Sequence, residues 1–390
     1  MICIRTQHFN LNRILLLAVG LWPYQKSKFV RFQGILFFGI LSSFIIFQLT
    51  ALIKKDCTSE FVIKVFSITM IFNIYAIKYN MFWINTHNLR NLLEQLQYIC
   101  NELKDENEIA ILIKYGNNTK RYTAIFTLLT ICLTLSTVIL LIWPLIFGTV
   151  LHINESQVIT MLTEYVVDRE KYFYLILLHV NIVICIGSTT ITATGLMILG
   201  CIIHICGLFK IASYRMEQAM TTKMLQNINL ENQTTICKKI FYAVEIHRKT
   251  MKFTNLLFSS FEGSFFLLIA FLVTSLSLNM FGIFHNASLG DMESVLLHLI
   301  IVLIMLLYMF VANYAGQEVI NYSNHIYSTA YNVRWYEAPL NVQKMILFIL
   351  QRSRKNFHIK IAGLFIISLE CFATLIKASM SYFTFMYSTQ

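Results

Sequence analysis

Hydrophobic positions in this chain come in long unbroken blocks, not at the two-residue period of a half-buried strand or the 3.6-residue period of a surface helix. Seven blocks reach the ~20 apolar residues that a helix needs to cross hydrocarbon. They cover about 32–53, 61–84, 122–148, 172–209, 256–281, 294–314 and 359–386. A helix satisfies its backbone hydrogen bonds internally, which is what a bilayer interior demands. The fourth block is too long for one straight crossing and is expected to tilt or to continue past the membrane. Ahead of the first block, Arg13 precedes the apolar run 14–21. That run has the look of a signal-peptide core, but it lacks a small-x-small cleavage site and Trp22-Pro23 follows directly. A short helix lying on the inner membrane surface is the expectation.

Composition supports lipid as the solvent. The chain is 57% hydrophobic and 13% charged, against about 25% charged for a soluble domain. With 31 Phe but only 3 Pro and 14 Gly, it is neither loop-rich nor disordered. The net charge of +11 does not signal nucleic acid, because the basic residues sit between apolar spans rather than on one soluble face. Their distribution sets the orientation instead. The N-terminal segment and the connections 85–121, 210–255 and 315–358 hold 23 Lys and Arg, and the alternate connections hold four. The expected fold is an all-α integral membrane protein of seven transmembrane helices, N-terminus cytoplasmic and C-terminus extracellular. Nine scattered cysteines form no disulfide framework; Cys57 alone is placed at an outer edge.

An inside N-terminus excludes a G-protein-coupled receptor. The Asp168-Arg169-Glu170 triplet falls on the outer side, where it cannot touch a G protein. No G-x-S-x-G, phosphate-cradling glycine loop or H-E-x-x-H occurs, so no enzyme and no cofactor is expected. Cys201, His204 and Cys206 point in different directions from one helix and are expected to be buried neutral residues, not metal ligands.

The segment 315–358 is more than a linker. Pro339 suits a first helical turn, and Leu340, Met345, Ile346, Leu347, Phe348 and Leu350 then interleave with Gln343, Lys344, Gln351 and Arg352. Such a helix lies on the inner leaflet or forms a packing surface between subunits. In the last span, stepping from Phe385 by three, four and seven gives one face with Cys371, Thr374, Ala378 and Ser381 or Tyr382, then Ser388 and Thr389. Small and hydroxylated residues on one face suit close helix packing or a water-filled path. Several copies of Phe385 around an axis would form an apolar ring that gates by excluding water. Glu370 and Lys377 lie off that face, and Lys64 and Lys78 are expected to snorkel.

These residues together resemble the insect odorant receptors. The resemblance rests on the order of spans and on Trp335-Tyr336-Glu337-Ala338-Pro339-Leu340, Gln351-Arg352-Ser353, Ala362-Gly363-Leu364-Phe365 and Lys377-Ala378-Ser379-Met380-Ser381-Tyr382-Phe383-Thr384. The early Gly20-Leu21-Trp22-Pro23-Tyr24 is similar to the ant and bee branch. The resemblance implies a plasma-membrane, ligand-gated, non-selective cation channel of sensory dendrites. In it, an odour-tuned subunit and a common co-receptor form a heterotetramer whose last helices line the pore. The short 210–255 connection fits the tuning subunit. It further implies three regions: 1–314 with the odorant pocket, 315–358 as a cytoplasmic assembly segment and 359–390 as the pore-lining helix. The gate falls at Phe385, with Thr374, Ala378, Ser381, Ser388 and Thr389 along the pore; many relatives carry Val where this chain has Phe385.

The pocket falls in the outer halves of spans two, three, four and six. There Phe66, Met70 and Asn73, then Thr137, Leu140, Leu141 and Pro144, then Tyr174, Leu178 and Asn181, then Leu297, Ile300 and Ile304 make an apolar wall with few polar groups. That suits a small hydrophobic odorant; interhelical packing is the alternative use of the same side chains. A gustatory-type channel working without the co-receptor, and a transporter, are the remaining alternatives.

Overall fold

A computed structural model describes residues 7–25, 27–54, 59–151, 169–221, 230–353 and 357–389. In these segments the chain forms α1 (Asn10–Ala18), α2 (Lys28–Lys54), α3 (Ser59–Ile84), α4 (Thr86–Asn101), α5 (Glu106–Leu151) and α6 (Arg169–Ala219). Then come α7 (Leu230–Ser259), α8 (Glu262–Leu289), α9 (Met292–Asn332), α10 (Leu340–Ser353), a short β1–β2 hairpin (Lys360–Ile361 and Phe365–Ile366) and α11 (Leu369–Ser388). Six helices, α2, α3, α5, α6, α8 and α9, are long and apolar enough to cross a membrane. The last, α11, has 20 residues, about 30 Å of helix and so the thickness of a hydrocarbon core. It carries Glu370, Lys377 and several hydroxyls.

Several elements outrun the blocks that announced them. Helix α5 starts at Glu106 and α6 ends at Ala219, so both project past their apolar blocks at the end of the bundle that carries the basic connections, called the basic end below. Helix α9 continues unbroken to Asn332. The fifth block divides: α7 stops at Ser259 and α8 begins at Glu262, with the break at Ser260-Phe261. The seventh does not start as a helix. Residues 360–366 form the hairpin, turned by Ala362 and Gly363 at φ 50° and 68°. Ser368 then caps α11, its hydroxyl accepting from Cys371 N at 3.2 Å.

The N-terminal helix, expected to lie on lipid, packs into the bundle. Phe9, Asn12 and Leu16 of α1 are buried in the main core, and Asn12 Nδ2 donates to Leu196 O of α6 at 2.9 Å. His8 reaches His204 of α6 (Nδ1···Nε2 3.0 Å), and His204 Nδ1 lies 2.8 Å from Gly200 O. Cys201, His204 and Cys206 are all buried in this packing. An apolar face that meets a groove between α5 and α6 has more to gain from packing there than from lying flat on lipid.

Small residues let the spans approach closely, as membrane bundles require. A Cβ on Gly187 of α6 would stand 2.1 Å from the Tyr75 ring of α3, and one on Gly316 of α9 would stand 2.3 Å from Ile367. One core runs through the spans. A second, at the basic end, joins Met216 and Ala219 of α6 to Ile236, Ile240 and Ala243 of α7 and to Val342, Ile346 and Ile349 of α10. The opposite face of α10 leaves Leu340, Leu347 and Phe348 exposed, so this helix has two apolar faces, only one of which is packed among the described residues.

Candidate functional site: an apolar crevice, a pore helix and the hairpin between them

A crevice of about 280 Å³ opens between α5, α6, α8, α9 and α11 in the half of the bundle nearer the basic end. Phe126, Leu129 and Leu133 of α5, Leu199 and Ile202 of α6, Leu268 and Leu272 of α8 and Leu307 of α9 form its walls. Polar groups are few. Thr192 Oγ1 donates to Thr130 Oγ1 at 2.9 Å, and Asn313 Nδ2 donates within its own helix to Met309 O. The exception is Lys78 of α3, which lines the crevice with only 2% of its surface exposed. It does not snorkel: its Nζ sits 5.6 Å from the Phe265 ring centroid and 5.6 Å from that of Tyr308. Each such contact is worth roughly 1–2 kcal/mol when desolvated. A lysine inside a span is a functional candidate by default, but its two aromatic partners come from α8 and α9, which no sequence spacing reveals.

Of the expected pocket residues whose side chains are described, Ile304 lines this crevice and the others do not. Leu141 is buried, Phe66, Met70, Asn73, Asn181 and Leu297 are half-buried, and Thr137, Tyr174, Leu178 and Ile300 are exposed in the single chain. The side chains of Leu140 and Pro144 lie outside the described residues, as do Cys57, Asp168 and the side chains of Arg169 and Glu170. Two amides of the set bond to their own helices, Asn73 Nδ2 to Thr69 O at 2.9 Å and Asn181 Nδ2 to Leu177 O at 2.8 Å. The Asn181 Oδ1 is buried with no hydrogen-bond partner, an acceptor open to a donor from elsewhere.

Helix α11 presents two distinct faces. Cys371, Leu375, Ser379 and Phe383 are buried against α8 and α9. Ser277 Oγ of α8 donates to Ser379 O at 3.0 Å, and Phe284 packs on Phe383 with centroids 4.9 Å apart. Cys371 therefore belongs to the packed face, not to the stripe of small residues on which the sequence placed it. Thr374, Ser381, Phe385, Ser388 and Thr389 are exposed, Phe385 at 67%, with Ala378 half-buried between them. The hairpin ties the start of α11 to the rest: Glu262 Oε1 of α8 accepts from Ala362 N at 2.7 Å, while Ile367 sits on Gly316 of α9. Its Ile361, Phe365 and Ile367 also line the crevice, so crevice and α11 share a wall.

Ionic contacts lock the basic end. Glu108 of α5 accepts two bonds from Arg215 of α6, at 2.6 and 2.8 Å, and Arg215 Nη1 also donates to Tyr242 O of α7. Lys249 of α7 pairs with Glu102 at 2.7 Å and with Glu245 at 3.0 Å. The bond from Lys249 holds the Glu102 carboxyl below the usual carboxylate range, and Glu102 raises Lys249 in return. Asp291 caps α9, accepting from Ser294 N at 3.2 Å. Hydrogen bonding to Ser294 keeps its carboxyl low.

Fold and crevice define a polytopic helical membrane protein with room between its spans for a small apolar ligand. The sequence profile of the 7tm odorant receptor family matches residues 58–380, and the chain belongs to that family. No curated protein matches it by sequence. Its fold is similar to that of the insect olfactory receptor OR5 from Machilis hrabei in complex with eugenol. That comparison has a TM-score of 0.73 and 16% identity, covering 99% of this chain and 99% of that chain. A second structure of OR5 gives 0.71 and 17% identity over 99% and 98% of the two chains.

Proposed function

We propose that this odorant receptor is the odour-tuned subunit of a ligand-gated, non-selective cation channel. In this reading it sits in the plasma membrane with the basic end in the cytoplasm. It works in a heterotetramer with a common co-receptor. Residues 315–358 assemble the subunits, with the unused face of α10, Leu340, Leu347 and Phe348, as the contact. The exposed face of α11 lines the pore, and Phe385 forms the gate. The odorant is a small hydrophobic molecule held in the outer half by Phe66, Met70, Asn73, Thr137, Leu140, Leu141, Pro144, Tyr174, Leu178, Asn181, Leu297, Ile300 and Ile304. The open Oδ1 of Asn181 is its hydrogen-bond acceptor for a ligand hydroxyl. The OR5 complex shows that a receptor of similar fold takes a phenolic odorant, eugenol.

The observation that carries the reading, beyond family membership, is the two-faced α11. Its hydroxylated, Phe385-bearing face is left unpacked among the described residues, as a helix facing an axis between subunits requires. Ligand binding shifts the gate only by the affinity difference between closed and open states. The route available is α8 and α9, which grip α11 through Ser277–Ser379 and the hairpin.

Whole-cell recording under a panel of apolar odours tests this, with the chain expressed alone and beside an insect odorant co-receptor while G-protein signalling is blocked. A rapid cation current only with the co-receptor is expected. Current from the chain alone would make it a self-sufficient channel of the gustatory kind. Silence in both, with surface expression verified and the panel extended to hydroxylated aromatics, would overturn the channel reading.

A further inference from the structure

Among the described residues, no counter-ion faces Lys78. It is buried, it lines the crevice, and among the described residues it makes no ion pair and no hydrogen bond; its contacts are the two ring faces of Phe265 and Tyr308. A desolvated ammonium is unfavourable unless something of opposite charge completes it. Elsewhere the chain supplies that completion: the buried Glu108 receives a bidentate guanidinium. The crevice contributes nothing of the kind. Thr130 and Thr192 bond to each other, and Asn313 bonds to its own helix.

We propose that this crevice is a second ligand site, sharing only Ile304 with the outer odorant pocket, and that its occupant is an aliphatic carboxylate. The head accepts hydrogen bonds from the three N–H groups of Lys78, and the chain lies along Leu133, Leu199, Ile202 and Leu268. Volume and access both select a single-chain acid. About 280 Å³ is just under the ~300–1,000 Å³ of ordinary ligand sites, room for a carboxylate and part of one chain whose remainder stays in the hydrocarbon. Leu129, Leu133 and Leu307 are partly exposed at the mouth, so a chain enters sideways from the hydrocarbon. Lys78 stands six residues before the basic end of α3, about 9 Å by helical rise, a depth that an acid anchored in that leaflet reaches. Because Phe365, Ile367 and Cys371 line the same space, an occupant braces the hairpin that starts α11, and it does so whether or not an odorant is bound.

The test is a binding measurement on the full chain in phosphatidylcholine nanodiscs, independent of any current and therefore of the channel reading. One arm carries radiolabelled palmitate in the bilayer and the other adds radiolabelled hexanoate from water, with hexadecanol as the neutral competitor. Saturable binding is expected in the palmitate arm. Lys78→Met should weaken it at least about tenfold, the size of one lost charge-assisted hydrogen bond, while Lys78→Arg keeps it. Leu307→Trp, at the exposed mouth, should block entry without disturbing the core. Hexanoate bound with the same Lys78→Met loss would also support the site and would name a water-borne short acid as its occupant. The proposal is overturned if neither acid saturates, if Lys78→Met binds as well as wild type, or if hexadecanol displaces palmitate as well as unlabelled palmitate does. Should Lys78→Met fail to fold, Leu307→Trp decides, and undiminished binding by it sinks the idea.

Discussion

Replacing Glu108 by alanine removes one half of a bidentate pair that joins two projecting helices at the basic end. Its oxygens lie 2.6 and 2.8 Å from Arg215 Nε and Nη2, and the two side chains are 7% and 20% exposed respectively. The variant leaves a guanidinium that is four-fifths buried with one remaining partner, Tyr242 O at 3.2 Å. Breaking a fully buried pair in this way costs about 3–5 kcal/mol. The residual exposure of Arg215 lets water recover part of that, so about 2–3 kcal/mol is expected after allowing for screening. Glu108→Gln keeps the shape and one acceptor and should lose less, about 1–2 kcal/mol. The combination Glu108→Leu with Arg215→Met removes both charges and should return to within ~1 kcal/mol of wild type, because no unpaired ion remains. The assay is equilibrium unfolding of the purified chain in detergent micelles, run as a double-mutant cycle. If Glu108→Ala cost under about 0.5 kcal/mol, or if the double variant lost the sum of its singles, the pair would be an ordinary surface contact and the reasoning would fail.

Three further outcomes follow from the same geometry. Phe385→Ala should alter leak or ion permeability while leaving the rank order of odorants unchanged; a changed ranking with unchanged conduction would displace the pore from α11. Gly316→Ala puts a methyl 2.9 Å from Ile367 O and closer still to its side chain. It should destabilise the chain by about 1–3 kcal/mol and loosen the hairpin, seen as faster proteolysis near 360–366; an unshifted unfolding curve would contradict that packing. The Glu102–Lys249 pair should contribute under about 1 kcal/mol. With the Glu102 carboxyl held low, that contribution is present above the ordinary carboxylate range and fades as pH falls through its depressed value. With Lys249 raised, it persists until pH climbs past the lysine range. Comparing wild type with Glu102→Gln between pH 3 and 7 reads the acid limb, and a difference that grows on acidification would reverse the sign.

The sequence announced spans well and ends poorly, for a physical reason. Hydropathy reports only the lipid-facing part of a helix. Block six stops near 314 because Gln317, Glu318 and Asn321 are polar, yet the backbone keeps its hydrogen bonds by staying helical to Asn332. Block five gave no sign of the break at Ser260-Phe261, since Leu257, Phe258 and Phe261 on both sides are buried in the core. The hairpin was hidden for the same reason, its residues being as apolar as the helix they precede. Ala362-Gly363 ahead of a capping Ser368 was the one readable signal of a turn. The N-terminal helix was recognisable as apolar, but its groove between α5 and α6 exists only in the assembled bundle. The site divides likewise. The stripe from Thr374 to Thr389 follows from helical phase within one element, and the structure leaves that face unpacked apart from Cys371. The Lys78 crevice needs seven helices and a hairpin to converge, and a lysine in a span reads identically whether it snorkels or stays buried.

The central claim is that odour opens a pore lined by the exposed face of α11. Cysteine substitution tests it most directly, recording odour-evoked current beside the co-receptor while a membrane-impermeant charged thiol reagent is applied from outside. Ser381→Cys and Ser388→Cys lie on that face, and Ser379→Cys lies on the buried one. The reagent is expected to block current through Ser388→Cys, and through Ser381→Cys only while odour is present, with Ser379→Cys unaffected. Block at Ser379→Cys, or currents unchanged at both exposed positions with the thiols shown to be modified, would contradict it.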